Sequence, residues 1–296
     1  MKTLDAARGK WTSILTQLGV DASALDGRHK PCPCTGQGTD RFRYANQNGS
    51  GNFFCHCQHG RCSGISLLMC KFGWTFQQAA SEVDKIIGNV KPDMERAMPD
   101  PLPRLQKAWK ASKPAGFAVR RYLKNRGLIC PPSVREIRQQ YFDGDKRMGF
   151  YDCMVGVIET ATGERASLHL TYIKDGAKAD VPSPRKVLPP ARPITGGAIR
   201  LFPQADTIGI AEGIETAIAA HMLFSLPVWS VVNRNGIETF VPPEGVKRVV
   251  IYGDRDESYA GQAGAYRAAE RLARLVDVEV VLPDVGDFND VLRKRA

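Results

Sequence analysis

The stretch Ile208–Ala220, Ile-Gly-Ile-Ala-Glu-Gly-Ile-Glu-Thr-Ala-Ile-Ala-Ala, constrains the fold more than any other part of the chain. A short apolar run, Ile208–Ala211, meets Glu212-Gly213. Ile214, Ala217, Ile218 and His221 then fall at the i, i+3, i+4, i+7 spacing of a helix. The pattern is strand, tight turn, helix, with Gly213 as the residue that lets the chain turn sharply. In an open parallel sheet, ligands bind beyond the carboxyl ends of the strands, and Glu212 stands at such an end. Taken alone, Glu212 reads equally well as an acidic residue at a helix start.

The same punctuation recurs twice. Arg248–Tyr252 is a second buried-strand run, followed by Gly253-Asp254-Arg255-Asp256 and a helix over Gln262–Val276. Ala263, Tyr266, Ala269, Leu272 and Leu275 are expected on the inward face of that helix. A third strand, Val278–Leu282, leads into Asp284, Asp287 and Asp290. Asp-x-Asp at a strand end supplies oxygen ligands to a hard cation such as Mg²⁺ or Mn²⁺. Three acidic strand ends in one crevice repel one another unless a metal lies between them. Glu212, Asp254 and Asp256 are therefore the expected catalytic residues, and with Asp287 the expected Mg²⁺ ligands.

This arrangement resembles the Toprim fold shared by primases, topoisomerases and some nucleases. Glu212-Gly213, Asp254-Arg255-Asp256 and Asp287-Phe288-Asn289-Asp290 match its motifs in order. More narrowly, Glu212-Gly213-Ile214-Glu215-Thr216-Ala217 is similar to a motif of satellite-phage alpha-type primases, departing from it at Ile214 and Glu215. Glu215 is expected to point to solvent. The resemblance implies an α/β Toprim domain with a Rossmann-like parallel sheet over 206–296.

Five cysteines cluster near the start of the chain. His29-Lys30-Pro31-Cys32-Pro33-Cys34 precedes a strand of alternating charged and aromatic residues at Asp40–Tyr44. A Gly/Asn-rich turn then leads to Phe53-Phe54-Cys55-His56-Cys57-Gln58-His59-Gly60-Arg61-Cys62. Two Cys-rich tips joined by a β-hairpin are the plan of a zinc ribbon, each tip giving two ligands to a tetrahedral Zn²⁺. Cys32, Cys34 and Cys55 are the expected ligands, with Cys62 or Cys57 as the fourth and His59 and His29 in reserve. Strand alternation turns Phe42 and Tyr44 inward and puts Arg41 and Arg43 on the opposite face. The stretch also resembles the zinc-binding domain that opens alpha-type phage primases. That resemblance implies a hold on single-stranded template through Arg41 and Arg43, with exposed aromatics stacking on bases.

The net charge is +10, concentrated in residues 101–200, which carry 19 Lys and Arg against 8 Asp and Glu. Such a surface suits a polyanion. A capping box at Thr75-x-x-Gln78 opens a helix that Gly88 ends, closing a zinc-ribbon domain at 1–88. Residues 89–113 read as a proline-rich linker and 114–205 as a basic α+β region. Its helix at Phe117–Gly127 displays Arg120, Arg121 and Lys124, and a hairpin follows over Met154–Ile173. In the primases that the chain resembles, such a region guides template and nucleotide phosphates, which implies roles for Lys178, Lys186 and Arg200.

No apolar run approaches the roughly 18 residues of a membrane span, and the N-terminus shows no signal-peptide core, so a cytoplasmic protein without membrane contact is expected. A zinc ribbon first and a Toprim core last resemble a DNA primase. The resemblance implies synthesis of short RNA primers on single-stranded DNA from ribonucleoside triphosphates, for phage, plasmid or mobile-element replication. A replicative helicase is expected as a separate protein. The alternatives are a Toprim nuclease or topoisomerase-like enzyme, and a non-catalytic zinc-containing single-strand-binding module.

Overall fold

A computed structural model of the chain describes residues 2–55, 63–93, 100–144 and 146–295. It divides into two units, Met1–Met98 and Pro99–Ala296.

The first unit begins with helices α1 (Lys2–Ala7) and α2 (Trp11–Gln17). A three-stranded antiparallel sheet follows, in the order β1 (His29–Lys30), β2 (Phe42–Tyr44), β3 (Phe53–Cys55). Helices α3 (Gly64–Phe72) and α4 (Phe76–Ile86) complete it. Both open with a capping box, Ser63 with Ser66 and Thr75 with Gln78. The core gathers Trp11, Ile14, Leu15, Phe42, Phe53, Leu67 and Leu68. Phe42 and Tyr44 are buried and Arg43 lies on the other face, as strand alternation requires. Gly64 allows the closest approach in this core: a Cβ there would lie 2.2 Å from Cε3 of the buried Trp11. Gly64→Ala must displace that ring. Overpacking of this kind costs about 2–3 kcal/mol, so the melting temperature of this unit falls by about 10 °C in calorimetry. An unchanged transition would contradict the packing.

The second unit is built on one large mixed sheet. Helix α5 (Leu102–Ala111) lies within the stretch read as a linker, and its Leu105 is buried among Ile137, Tyr141, Leu168 and Leu170. Next come β4 (Lys113–Pro114), α6 (Phe117–Asn125), β5 (Arg135–Asp143), β6 (Lys146–Glu159), β7 (Arg165–Lys174), β8 (Ala177–Lys178), β9 (Arg185–Val187) and β10 (Ala198–Ile199). The C-terminal part follows as β11 (Thr207–Ala211), α7 (Ile214–Phe224), β12 (Val228–Ser230), α8 (Arg234–Thr239), β13 (Arg248–Tyr252), α9 (Ala260–Leu272), β14 (Asp277–Val281) and α10 (Phe288–Arg295). The strand order is β14-β13-β11-β12-β10-β6-β5-β4, with β7 pairing β6, β8 and β9. The pairs β12–β11, β11–β13 and β13–β14 are parallel, and the β4–β10 portion is antiparallel. The expected fold class holds: a parallel α/β core preceded by an α+β region. Among the described residues no helix is long and apolar enough to cross a membrane.

Two details depart from the expectations. α7 is buried at every position from Ile214 to Ala220, so Glu215 does not reach solvent. α9 turns its small residues inward, burying Gly261, Gly264, Ala265, Ala268 and Leu272. Tyr266 and Leu275, expected inside, are exposed. Small side chains let the helix approach the sheet closely, and an apolar count alone picked the neighbouring face.

Candidate active site

The parallel register sets the site. Ala211, Tyr252 and Val281 lie side by side at the ends of β11, β13 and β14. The residues just beyond, Glu212, Gly253-Asp254 and the loop leading to Asp287, therefore leave the sheet along one edge. A short bridge draws the second and third acidic loops together: Arg255 N–H donates to Gly286 O at 2.8 Å, and Gly286 N–H returns to Arg255 O at 3.2 Å.

Each carboxylate is held differently. Asp254 is largely buried, and its Oδ1 has no hydrogen-bond partner among the described residues. Burial, then the charges of Glu212, Asp287 and Asp256, push its carboxyl up to about 7, and Arg185 pulls the other way. Glu212 is half-buried at the strand end. Burial raises its carboxyl, and the guanidinium groups of Arg185 and Arg234 offset part of that. Asp256 is half-buried, and its carboxyl is lowered because Ser258 Oγ and the Gly261 and Ala260 amides donate to it. It thus also caps α9. Asp287 caps α10, its Oδ1 accepting the Asp290 N–H at 3.0 Å while Asp290 Oδ2 accepts the Asp287 N–H.

The charges of Glu212, Asp256 and Asp287 act on Asp254, yet among the described residues no three His, Cys, Asp or Glu side chains form a ready-made metal cage. An open, acid-lined edge is what Mg²⁺ uses when it keeps waters and substrate phosphates in its shell. The unpartnered Asp254 oxygen, held amid like charges, fits a divalent cation: a buried acceptor needs a donor or a positive ion.

Around the acids stand cations that the sequence ranked differently. Arg185 Nη1 lies 3.8 Å from where a Cβ on Gly213 would be, and Glu215 Oε2 lies 3.7 Å from the same point. Arg185 forms no ion pair among the described residues, and nothing in the sequence had singled it out. Its neighbour Lys186 faces the other side of β9, its ammonium 3.9 Å from the Tyr141 ring centroid and donating to Phe142 O. Lys178 pairs with Glu215 at 3.2 Å. Arg200 is committed to Glu159, at 3.2 Å, and to the carbonyls of Thr160 and Ala161. Arg120, Arg121 and Lys124 are exposed on α6, whose Val119, Tyr122 and Leu123 are buried.

In the first unit, Cys32 is buried and its sulfur lies 3.5 Å from that of Cys55. Burial and the thiols of Cys70 and Cys32 push the Cys34 thiol up. The Cys32 sulfur thus neighbours that of Cys55, and Cys34 neighbours Cys32 and Cys70 of α3, an unforeseen member, though among the described residues no three of them are placed to hold a metal ion. Crowded sulfurs of this kind suit a thiolate-binding metal such as Zn²⁺. Cys57, His59 and Cys62, the expected source of the fourth ligand, lie outside the described residues. His29 Nδ1 lies 3.0 Å from Asp40 O. Arg43 stacks its guanidinium 5.2 Å from the ring centroid of Phe54, which is exposed, and Arg41 is half-buried beside Gly38.

The family model for the Toprim domain matches residues 207–296. A second, for a domain of unknown function (DUF7146), matches residues 100–201. No curated protein matches the chain. Among solved structures it is similar to a DNA primase domain from Pseudomonas aeruginosa, at 17% identity and a TM-score of 0.45, over 66% of this chain and 74% of that one. It is also similar to the primase fragment of the bacteriophage T7 primase-helicase protein, at 16% identity and 0.43, over 90% and 95%. A third is the Aquifex aeolicus primase (zinc-binding and RNA polymerase domains), at 15% identity and 0.43, over 99% and 82%.

Proposed function

With a Toprim domain over residues 207–296, we propose that the protein is a DNA primase. It joins ribonucleoside triphosphates into short RNA primers on single-stranded DNA, in the replication of a phage, plasmid or mobile element. The observation that carries this reading is the buried, unpartnered Asp254 oxygen set among Glu212, Asp256 and Asp287 at neighbouring strand ends. Asp254, Asp256 and Asp287, with Glu212 at the edge, would hold Mg²⁺ or Mn²⁺. Bound there, the cation supplies charge neutralisation for the triphosphate and the leaving pyrophosphate.

The chain's own residues do the rest. The 3′-hydroxyl oxygen of the growing primer bonds to the α-phosphorus of the incoming nucleotide. The bond from that phosphorus to the β-bridging oxygen breaks, and pyrophosphate leaves. Glu212, whose carboxyl burial has raised, either holds the cation or takes the hydroxyl proton. Arg185, near Gly213, and Lys178, paired with Glu215, would offer positive charge to the triphosphate. In the first unit, Arg41, Arg43 and Phe54 offer phosphate contacts and a stacking surface to single-stranded template, on a ribbon held by Zn²⁺. Arg120, Arg121 and Lys124 extend the basic surface along α6. A helicase acting from a separate chain belongs to the same reading.

The test is a priming assay with single-stranded DNA, one labelled ribonucleotide and Mg²⁺, resolved on a denaturing gel. Short labelled products from the wild type, reduced at least about a thousandfold in Glu212→Gln, are expected. Cleavage of the DNA without labelled products would replace the primase reading with a nuclease.

A further inference from the structure

Beneath the acidic edge lies a second, buried polar cluster that no motif explains. Glu215 is 4% exposed in the first turn of α7. The Tyr122 hydroxyl on α6 donates to its Oε1 at 2.5 Å, and Lys178 Nζ on β8 approaches the same oxygen at 3.2 Å. One carboxylate thus ties the basic region to the helix that begins at Glu212-Gly213. Two buried groups on β7 have no hydrogen-bond partner among the described residues, His169 Nδ1 and Thr171 Oγ1. They alternate along β7, and Thr171 pairs in register with Arg185 on β9. The charges of Glu215, Arg185 and Lys178 all act on His169, which burial keeps neutral, its imidazolium lowered to about 4. The Lys178 ammonium and Tyr122 hydroxyl in turn hold Glu215 ionised, down to about 2 despite burial.

A buried carboxylate is costly unless its partner is worth holding. Lys178 is the partner, on a two-residue strand where a lysine would otherwise extend into water. Arg185 is exposed and without an ion pair among the described residues, and its Nη1 lies 3.8 Å from the Gly213 Cβ position that Glu215 Oε2 approaches at 3.7 Å.

We propose that Glu215 is a positioning residue: anchored by Tyr122, it fixes the Lys178 ammonium beside the Glu212-Gly213 turn so that Lys178 and Arg185 together receive the triphosphate of the incoming nucleotide. The inference rests on the nucleotidyl-transfer reading and assigns a task to a carboxylate outside the acidic edge. Glu215 acts through Lys178 and touches no reacting atom.

The experiment is equilibrium binding of ATP and of adenosine to the full chain, by calorimetry with Ca²⁺ present, for wild type, Glu215→Gln, Lys178→Gln and the double variant. Wild type binds ATP at least tenfold tighter than adenosine. Glu215→Gln and Lys178→Gln each lose about tenfold for ATP and little for adenosine. The double variant is no weaker than Lys178→Gln alone, because the glutamate has no lysine left to place. In the priming assay, Glu215→Gln raises KM for ribonucleotides about tenfold and changes kcat less than threefold. Lys178→Gln keeps the test valid if the buried substitution unfolds the chain, since Lys178 is partly exposed. Additive losses in the double variant, or tighter ATP binding by Glu215→Gln, would overturn the positioning role and leave the primase reading standing. Wild type binding ATP no better than adenosine would remove both.

Discussion

On the primase reading, Asp254→Asn should lose priming activity by at least a thousandfold, and the metal-free variant should melt higher than the wild type. The two effects share one cause. In the metal-free protein Asp254 is buried among three other carboxylates, and its carboxyl is raised to about 7. An acid whose folded pKa lies above its unfolded value binds its proton more tightly when folded. Its contribution to stability is therefore neutral below about pH 4 and turns unfavourable as the pH climbs toward 7. Fully ionised, the group costs on the order of 2–4 kcal/mol, allowing for the part of it that water reaches. Asparagine keeps the shape and removes the charge, so the second unit should gain about 5 °C at pH 8 and little at pH 4. Mg²⁺ should raise the melting temperature of the wild type and leave Asp254→Asn nearly unmoved. Wild-type activity should fall below about pH 7 as protons displace the cation, and higher Mg²⁺ should shift that fall to lower pH. Calorimetry at both pH values, with and without Mg²⁺, checks the set. An Asp254→Asn protein that melts lower than wild type and is still stabilised equally by Mg²⁺ would sink it.

The acidic edge could be read from the sequence because its members follow mostly apolar runs, Ile208–Ala211, Val249–Tyr252 and Val278–Leu282, the last broken only by Glu279. A run of that kind states where a buried strand ends, and hence where a charge can leave the sheet. The cationic half of the site gave no such signal. Arg185 and Lys186 are adjacent on β9 and face opposite sides, so one reaches Gly213 and the other covers Tyr141. Without the parity of a three-residue strand, the sequence offers no choice between them. Glu215 was misjudged because a glutamate in a first helical turn is ordinarily solvated, and only the sheet and helices around α7 exclude water there. β5 went unread for a related reason. Ile137 and Tyr141 are its buried residues, four apart, with Arg138, Gln139 and Gln140 between them, a pattern closer to helix than to strand. In the first unit the alternation of Phe42, Arg43 and Tyr44 was legible. Cys70 was not, because it belongs to α3, away from the two cysteine-rich tips, and only folding brings it to Cys34.

Removing zinc should undo the first unit and spare the second. The β1–β2–β3 sheet has strands of two or three residues, too short to hold a hairpin by ladder hydrogen bonds alone. Its stability must come from the Trp11 and Phe42 core, against which Cys34 and Cys55 pack, and from whatever joins their sulfurs to that of Cys32. If that link is Zn²⁺, its binding free energy is folding free energy for the ribbon. The purified protein should then carry about one zinc per chain by elemental analysis. Cys32→Ser should lower that content at least tenfold, whereas Cys153→Ser, buried in the core of the second unit, should leave it unchanged. A strong chelator should abolish the melting transition of the first unit and weaken binding to single-stranded DNA at least tenfold. The transition of the second unit, and its stabilisation by Mg²⁺ when that ion is restored, should persist, because Asp254 and its neighbours follow strands of the second unit's own sheet. Full zinc content in Cys32→Ser would dismiss the assignment of that cysteine. A zinc-free protein that melts normally and binds template would show that the sulfurs are held by packing, and the aromatic and basic face of Arg43 and Phe54 would then have to hold template without a metal behind it.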